Sequence, residues 1–152
     1  MDRIAIFPGS FDPITKGHEN IILRASLLFD KIIVAVGNNS DKNSFFTLEQ
    51  RVEFIKQTFV TKSDIEVDTY DGLTVEYCKR MNARFILRGL RNSLDYEYEK
   101  SISQLNRNLD SDVDTVFLIT SPEFAAISST IVREIIANKG DVTSFVPDNI
   151  SL

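Results

Sequence analysis

The chain has 152 residues, 43% apolar and 26% charged, a balance that suits one ordinary globular domain. A net charge of −5 argues against a sequence-independent grip on nucleic acid, and a single cysteine, Cys78, allows no intrachain disulfide. No apolar run reaches the ~18 residues of a membrane-spanning helix, and Met1-Asp2-Arg3 leads into a strand-like run without a signal peptide, so a cytoplasmic location and no membrane partner are expected.

Along the chain, strand and helix patterns alternate. Ile4–Phe7 reads as a strand and His18–Phe29 as a helix, with Ile21, Ile22, Ala25, Leu28 and Phe29 on one face. Ile32–Val36 is a continuous apolar run, as expected of a strand buried on both faces. Thr47-Leu48-Glu49-Gln50 is a capping box and opens a helix carrying Leu48, Val52, Ile55 and Phe59. Ile65–Asp68 alternates like an edge strand, and a helix follows over Leu73–Met81, with Cys78 read as core packing. Phe85–Leu87 is a second buried strand, ending in Arg88-Gly89. The long helix after it places Tyr98, Ile102, Leu105 and Leu109 in register, and Val116–Ile119 forms a fifth strand. Ser128 or Ser129 caps a last helix bearing Ile131, Val132, Ile135 and Ile136, which stops near Gly140. This order predicts a doubly wound parallel sheet of five strands with helices on both faces. Such sheets take ligands beyond the carboxyl ends of their strands, which selects the loops after Phe7, Val36, Leu87 and Ile119.

The chemically distinctive residues fall in those loops. Gly9 allows close backbone approach, and Gly17-His18 stands where a helix begins and its unpaired N–H groups can take phosphate. His18 could donate from either ring nitrogen when protonated; the same residues also fit a turn that merely packs the helix. Arg88-Gly89-Leu90-Arg91 sets two guanidinium groups around a flexible glycine, suited either to phosphate or to ion pairs with Asp95, Glu97 or Glu99. Ser128-Ser129-Thr130 offers simple N-capping or an anion nest. Lys42 lies in the polar loop Asn38–Asn43 and by itself is an ordinary solvated lysine. The joint placement of two phosphate-ready helix starts and an arginine pair on one sheet edge favours a single polyanion site.

Phe7-Pro8-Gly9-Ser10-Phe11-Asp12-Pro13 with Thr15-Lys16-Gly17-His18, together with Ile127-Ser128-Ser129-Thr130, resembles the HxGH and ISSTxxR-type motifs of the nucleotidyltransferase superfamily. Arg88-Gly89-Leu90-Arg91, Asp95–Glu99 and Phe145-Val146-Pro147 make the chain similar to the bacterial phosphopantetheine adenylyltransferase family over nearly its whole length. The resemblance implies a Rossmann-like fold, one nucleotidyltransferase domain over residues 1–152, and transfer of AMP from ATP to 4′-phosphopantetheine, giving dephospho-CoA and pyrophosphate. It implies His18 as transition-state stabiliser and ATP contact, and Ser10, Lys42, Thr74 and Arg88 as contacts to phosphopantetheine. It implies Ser10, Phe11, Gly89, Leu90, Arg91, Glu99, Phe124, Ala125, Ala126, Ile127, Ser128, Ser129 and Thr130 around ATP. It also implies magnesium carried on the ATP phosphates with no protein side chain as ligand, a homohexamer, and coenzyme A as a candidate feedback inhibitor. Thr74 is more polar, and Ser10 one methyl smaller, than the residues expected there.

Overall fold

A computed structural model describes residues 1–38 and 43–152. Five parallel strands, β1 (Ile4–Gly9), β2 (Lys31–Gly37), β3 (Ile65–Tyr70), β4 (Phe85–Leu90) and β5 (Asp114–Ile119), form one sheet in the order β3-β2-β1-β4-β5. The connections carry α1 (Lys16–Ala25), α2 (Leu48–Thr58), α3 (Thr74–Arg80) and α4 (Ser93–Leu109), and α5 (Ser129–Ala137) follows β5. Winding proceeds outward from β1 through β2 to β3, then returns across β1 to β4 and β5. The reversal puts the topological switch between β1 and β4, at whose carboxyl ends a crevice must open.

Strand periodicity sorts the two cores. Ala5, Phe7, Ile32, Val34, Val36 and Leu87 face α1 and α2, meeting Ile21, Ile22, Ala25, Phe54 and Ile55. Their alternates Ile6, Ile33, Ala35 and Ile86 face the other way, meeting Val75, Tyr77 and Cys78 of α3. Five consecutive residues of β2, Ile32 to Val36, are buried, as the unbroken apolar run requires for a strand covered on both faces. β3 is an edge strand with alternating burial, as its sequence pattern predicts. No helix among the described residues is long and apolar enough to cross a membrane.

Two helices depart from expectation. The first starts at Lys16, capped by Thr15, and ends at Ala25, so Leu28 lies in the following turn and is exposed. Of the apolar register of α4 only Ile102 turns inward: Tyr98, Leu105 and Leu109 are 67%, 62% and 61% exposed, and Glu99 is the helix's buried residue. α4 covers the outer strands with a largely polar side, where Glu99 meets Arg88; of the apolar stripe Ile102 is partly buried, while Leu105 and Leu109 stay exposed. Helix α2 buries Arg51 and Phe54 beside Ile55, two residues its apolar pattern does not select, while Leu48 and Val52 pack only partly.

Candidate active site

The strands deliver their last residues into the crevice in a definite order. β1 runs on to Gly9, and Phe11 turns back under it with a left-handed φ of 48°. A Cβ on Gly9 would come within 3.0 Å of the Phe11 ring, so the missing side chain at Gly9 makes room for that ring. Phe11 is buried and meets Phe7 and His18 edge-on, with centroids 5.5 Å and 5.0 Å away. The Asp12 carboxylate is buried and accepts the backbone N–H groups of Phe45 and Phe46 at 2.7 Å and 2.9 Å, tying the segment before α2 to this loop.

His18 sits at the third position of α1 and closes a capping box. Its own N–H donates to Thr15 Oγ1 at 3.4 Å, and its Nδ1 accepts the Thr15 N–H at 3.0 Å. An Nδ1 that accepts leaves the proton on Nε2. Burial, then the charges of Arg88 and Arg91, lower the His18 pKa to about 4. Near neutral pH the residue is therefore a neutral donor through Nε2 alone; donation from either nitrogen is left to the protonated ring. The sign of the linkage follows: an unfolded imidazole titrates near 6.5, so the unfolded chain binds more protons between that value and about 4. The stabilisation from keeping His18 neutral is present above pH 6.5 and is lost as pH falls towards 4. Melting curves of the wild type and His18→Asn should show the wild type losing more stability over that window; parallel curves would contradict the assignment.

Arg88, Gly89 and Leu90 lie inside β4 rather than beyond it, paired in register with Phe117, Leu118 and Ile119 of β5. Gly89 is no flexible joint there: a Cβ would meet Ile21 at 3.0 Å, so the glycine lets α1 close on the strand. Arg88 makes a two-pronged bond to Glu99, at 3.0 Å and 2.6 Å, and donates to the Pro8 carbonyl. Arg91, just past the strand, forks onto Asp95 at 3.0 Å and 3.3 Å. Ion pairing and phosphate readiness, alternatives in the sequence, coexist here, because each guanidinium has five N–H donors and its carboxylate occupies only two.

The three hydroxyls before α5 divide their work. Ser128 caps the helix by accepting the Ile131 N–H, Ser129 donates to the Pro13 carbonyl, and Thr130 accepts from Arg133. The resulting cavity, about 420 Å³, is lined by Ser10, Phe11, His18, Arg88, Gly89, Arg91, Glu99, Phe124, Ile127, Ser128 and Ser129 from the expected set. Leu90, Ala125, Ala126 and Thr130 stand beside it without lining it, and Lys42 lies outside the described residues. Arg133 and Tyr98 also line it, and neither carries an expected role; the arginine in the ISSTxxR-type spacing was the available signal for Arg133. A second cavity of about 170 Å³ adjoins the first and shares Pro8, Gly9, Arg88 and Glu99 with it. Thr74 opens into this one, its hydroxyl 2.9 Å from that of Tyr70, alongside Ile102 and Asn106. Tyr70 ends β3 while Ile102 and Asn106 lie one turn apart on α4, and no local motif joins the strand residue to the helix pair.

A crevice that offers cations and neutral donors, while Asp95 and Glu99 are held in ion pairs, is built to hold phosphates in place rather than to abstract protons. At the switch point of this sheet, that chemistry suits a crevice for nucleotide phosphates. The cytidylyltransferase-like family model matches residues 6–135. The chain is 51% identical to a phosphopantetheine adenylyltransferase of Cytophaga hutchinsonii over 150 residues, covering 99% of this chain and all of that one. It is 53% identical to the enzyme of that name from Christiangramia forsetii, covering 95% of each. Among solved structures, a bifunctional NMN adenylyltransferase/ADP ribose pyrophosphatase from Francisella tularensis aligns over 99% of this chain and 46% of its own with a TM-score of 0.73; at 18% identity that likeness speaks to the fold alone. The chain belongs to the phosphopantetheine adenylyltransferase family.

Proposed function

We propose that the chain transfers AMP from ATP to 4′-phosphopantetheine, forming dephospho-CoA and releasing pyrophosphate. The observation that carries this reading is the pair of cavities that meet at Arg88, Glu99 and Pro8-Gly9. The larger suits a nucleotide with its phosphates. The narrower, walled by Ile86 and Ile102 with hydroxyl and amide groups of Thr74, Tyr70 and Asn106, suits a flexible amide-bearing arm. Their junction is where the arm's phosphate would approach the α-phosphate of ATP.

The acceptor's phosphate is already an anion, so it attacks without a base. One of its oxygens forms the new bond to the α-phosphorus, the α–β bridging bond breaks, and pyrophosphate leaves with that electron pair. The protein's part is to align two polyanions and stabilise the charge that shifts between them. His18 Nε2–H serves the α-phosphate, Arg88 and Lys42 the attacking phosphate with Ser10, and Arg91 with the Ser128–Thr130 helix start the leaving group. Gly89, Leu90, Phe124, Ala125, Ala126 and Ile127 shape the nucleotide's surroundings. The acidic groups lining the cavity are already engaged, Asp95 and Glu99 by arginines and Asp12 by the Phe45 and Phe46 N–H groups, which fits magnesium held by ATP's own phosphates, where it would neutralise charge. Coenzyme A, the product bearing one more phosphate, is expected to compete for the same crevice and so inhibit. A cytoplasmic setting suits the unpaired Cys78.

An acceptor panel tests the substrate. Pyrophosphate release from ATP should be rapid with 4′-phosphopantetheine and negligible with nicotinate mononucleotide or with unphosphorylated pantetheine. Preference for the mononucleotide would overturn the assignment.

The homohexamer in this proposal is supported by exposed Leu105 and Leu109 on α4 and by Ile119, 72% exposed at the end of edge strand β5. Apolar faces of this kind are covered in most soluble proteins. Sedimentation should give a mass six times that of the chain, and Leu105→Glu should shift it to smaller species; an unchanged sedimentation profile would remove α4 from the interface.

A further inference from the structure

Arg51 acts on the first loop from behind. It projects from α2, is 2% exposed, and does not line the cavity. Its Nη1 donates to the Ser10 carbonyl at 2.8 Å, and its buried Nε has no hydrogen-bond partner among the described residues. A leucine or methionine at this core position would avoid the desolvation of a guanidinium with an unmet donor. The bond to Ser10 is therefore the place to look for what the arginine contributes.

Two further arginines grip the same loop in the same way. Arg88 Nη1 donates to the Pro8 carbonyl, and Arg133 Nη1 donates to the Asp12 carbonyl. Alternate carbonyls, those of residues 8, 10 and 12, are thus each drawn onto a guanidinium, from β4, α2 and α5 in turn. A carbonyl oxygen turned towards an incoming phosphate would repel it; here three are directed onto cations. In a trans peptide the C=O and N–H point in opposite directions. Anchoring Ser10 O on Arg51 therefore sends the Phe11 N–H the other way, to the side where Ser10 is exposed and the cavity lies. The cation on the carbonyl also polarises that peptide and strengthens its N–H as a donor. The left-handed φ of Phe11 is costly for a residue with a side chain, and persists only where its surroundings over-determine it.

We propose that Arg51 is a positioning residue: it fixes the Ser10–Phe11 peptide so that the Phe11 N–H is aimed at a phosphate of the bound nucleotide. This rests on the reading of the larger cavity as the ATP site. Arg88 and Arg133 face the ligand themselves, whereas Arg51 reaches it only through the loop.

The test is calorimetric titration of ATP into wild type, Arg51→Met and Arg51→Lys, with melting temperatures and the KM for each substrate measured in parallel. Arg51→Met should weaken ATP binding about tenfold or more, and raise the phosphopantetheine KM by less than it weakens ATP, because Ser10 serves that phosphate through its side chain while Arg88 holds it independently. Arg51→Lys, which keeps a charged donor, should recover part of the loss. A folded Arg51→Met with wild-type affinity for ATP overturns the proposal. Should that variant fail to fold, amide exchange in the wild type decides: ATP should slow exchange at Phe11, and unchanged exchange there overturns the proposal equally. Wild-type protein that binds no ATP would overturn the site reading and this inference with it, whereas wild type that binds ATP beside an unaffected Arg51→Met overturns this inference alone.

Discussion

His18→Asn should lower kcat by about 10²–10³-fold while changing ATP affinity less than about threefold. Asparagine is the informative replacement because His18 has two jobs on two nitrogens. Nδ1 accepts the Thr15 N–H and completes the cap of α1. Nε2–H is left to the reacting phosphate. Asparagine can offer its side-chain oxygen in place of Nδ1, preserving the cap, but has nothing where Nε2–H stood. Its melting temperature should stay close to that of the wild type. His18→Ala loses both, and should add about 1 kcal/mol of destabilisation from the lost cap. Equal losses in kcat and in ATP affinity for the asparagine variant would mean that His18 binds the ground state as tightly as the transition state. The low pKa, about 4, adds a second expectation. The pH profile of kcat/KM should show no inflection near 6.5 from this residue, because the free enzyme already holds it neutral there.

Arg88→Ala should be costly twice, in stability and in use of phosphopantetheine. The Glu99 side chain is 10% exposed, and its two oxygens accept from Arg88 at 3.0 Å and 2.6 Å. Removing the arginine strands that carboxylate. A fully buried orphan would cost about 3–5 kcal/mol. Arg88 is itself 31% exposed, so screening brings the expected loss to about 2–3 kcal/mol, or roughly 5–10 °C in a chain of this size. The phosphopantetheine KM should rise about 10–100-fold, with a smaller change for ATP. The double variant Arg88→Met with Glu99→Gln removes both charges and should regain most of the melting temperature while leaving phosphopantetheine use impaired. Recovery of activity along with stability would reduce Arg88 to a structural partner of Glu99.

The sheet is legible in the sequence because burial on two faces leaves an unmistakable pattern: Ile32–Val36 has no polar residue, and Ile65–Asp68 alternates. The strands end later than their apolar runs, since Pro8-Gly9 and Arg88-Gly89-Leu90 continue the hydrogen-bonded ladder with residues chosen for the crevice. α4 misleads because three of its four register residues, Tyr98, Leu105 and Leu109, are exposed and only Ile102 turns inward, and the helical period does not say which surface a stripe covers. Arg51 is hidden for the opposite reason, a charged residue on a helix's buried face. The site was partly readable: helix starts and arginines at strand ends announce phosphate by their chemistry. The tautomer of His18 was not, because it depends on the Thr15 N–H three residues earlier. The second cavity is assembled from β1, β3, β4, β5, α3 and α4, and only a folded chain brings Tyr70, Thr74 and Asn106 together.

Direct transfer between two polyanions held in one crevice is the centre of this account, and isotope exchange tests it most directly. With labelled pyrophosphate, ATP and magnesium, label should enter ATP when dephospho-CoA is supplied, because the reaction then runs backwards through the same alignment. Without dephospho-CoA or phosphopantetheine, no label should enter ATP. Exchange in the absence of any pantetheine compound would reveal an adenylylated protein intermediate and contradict the direct attack.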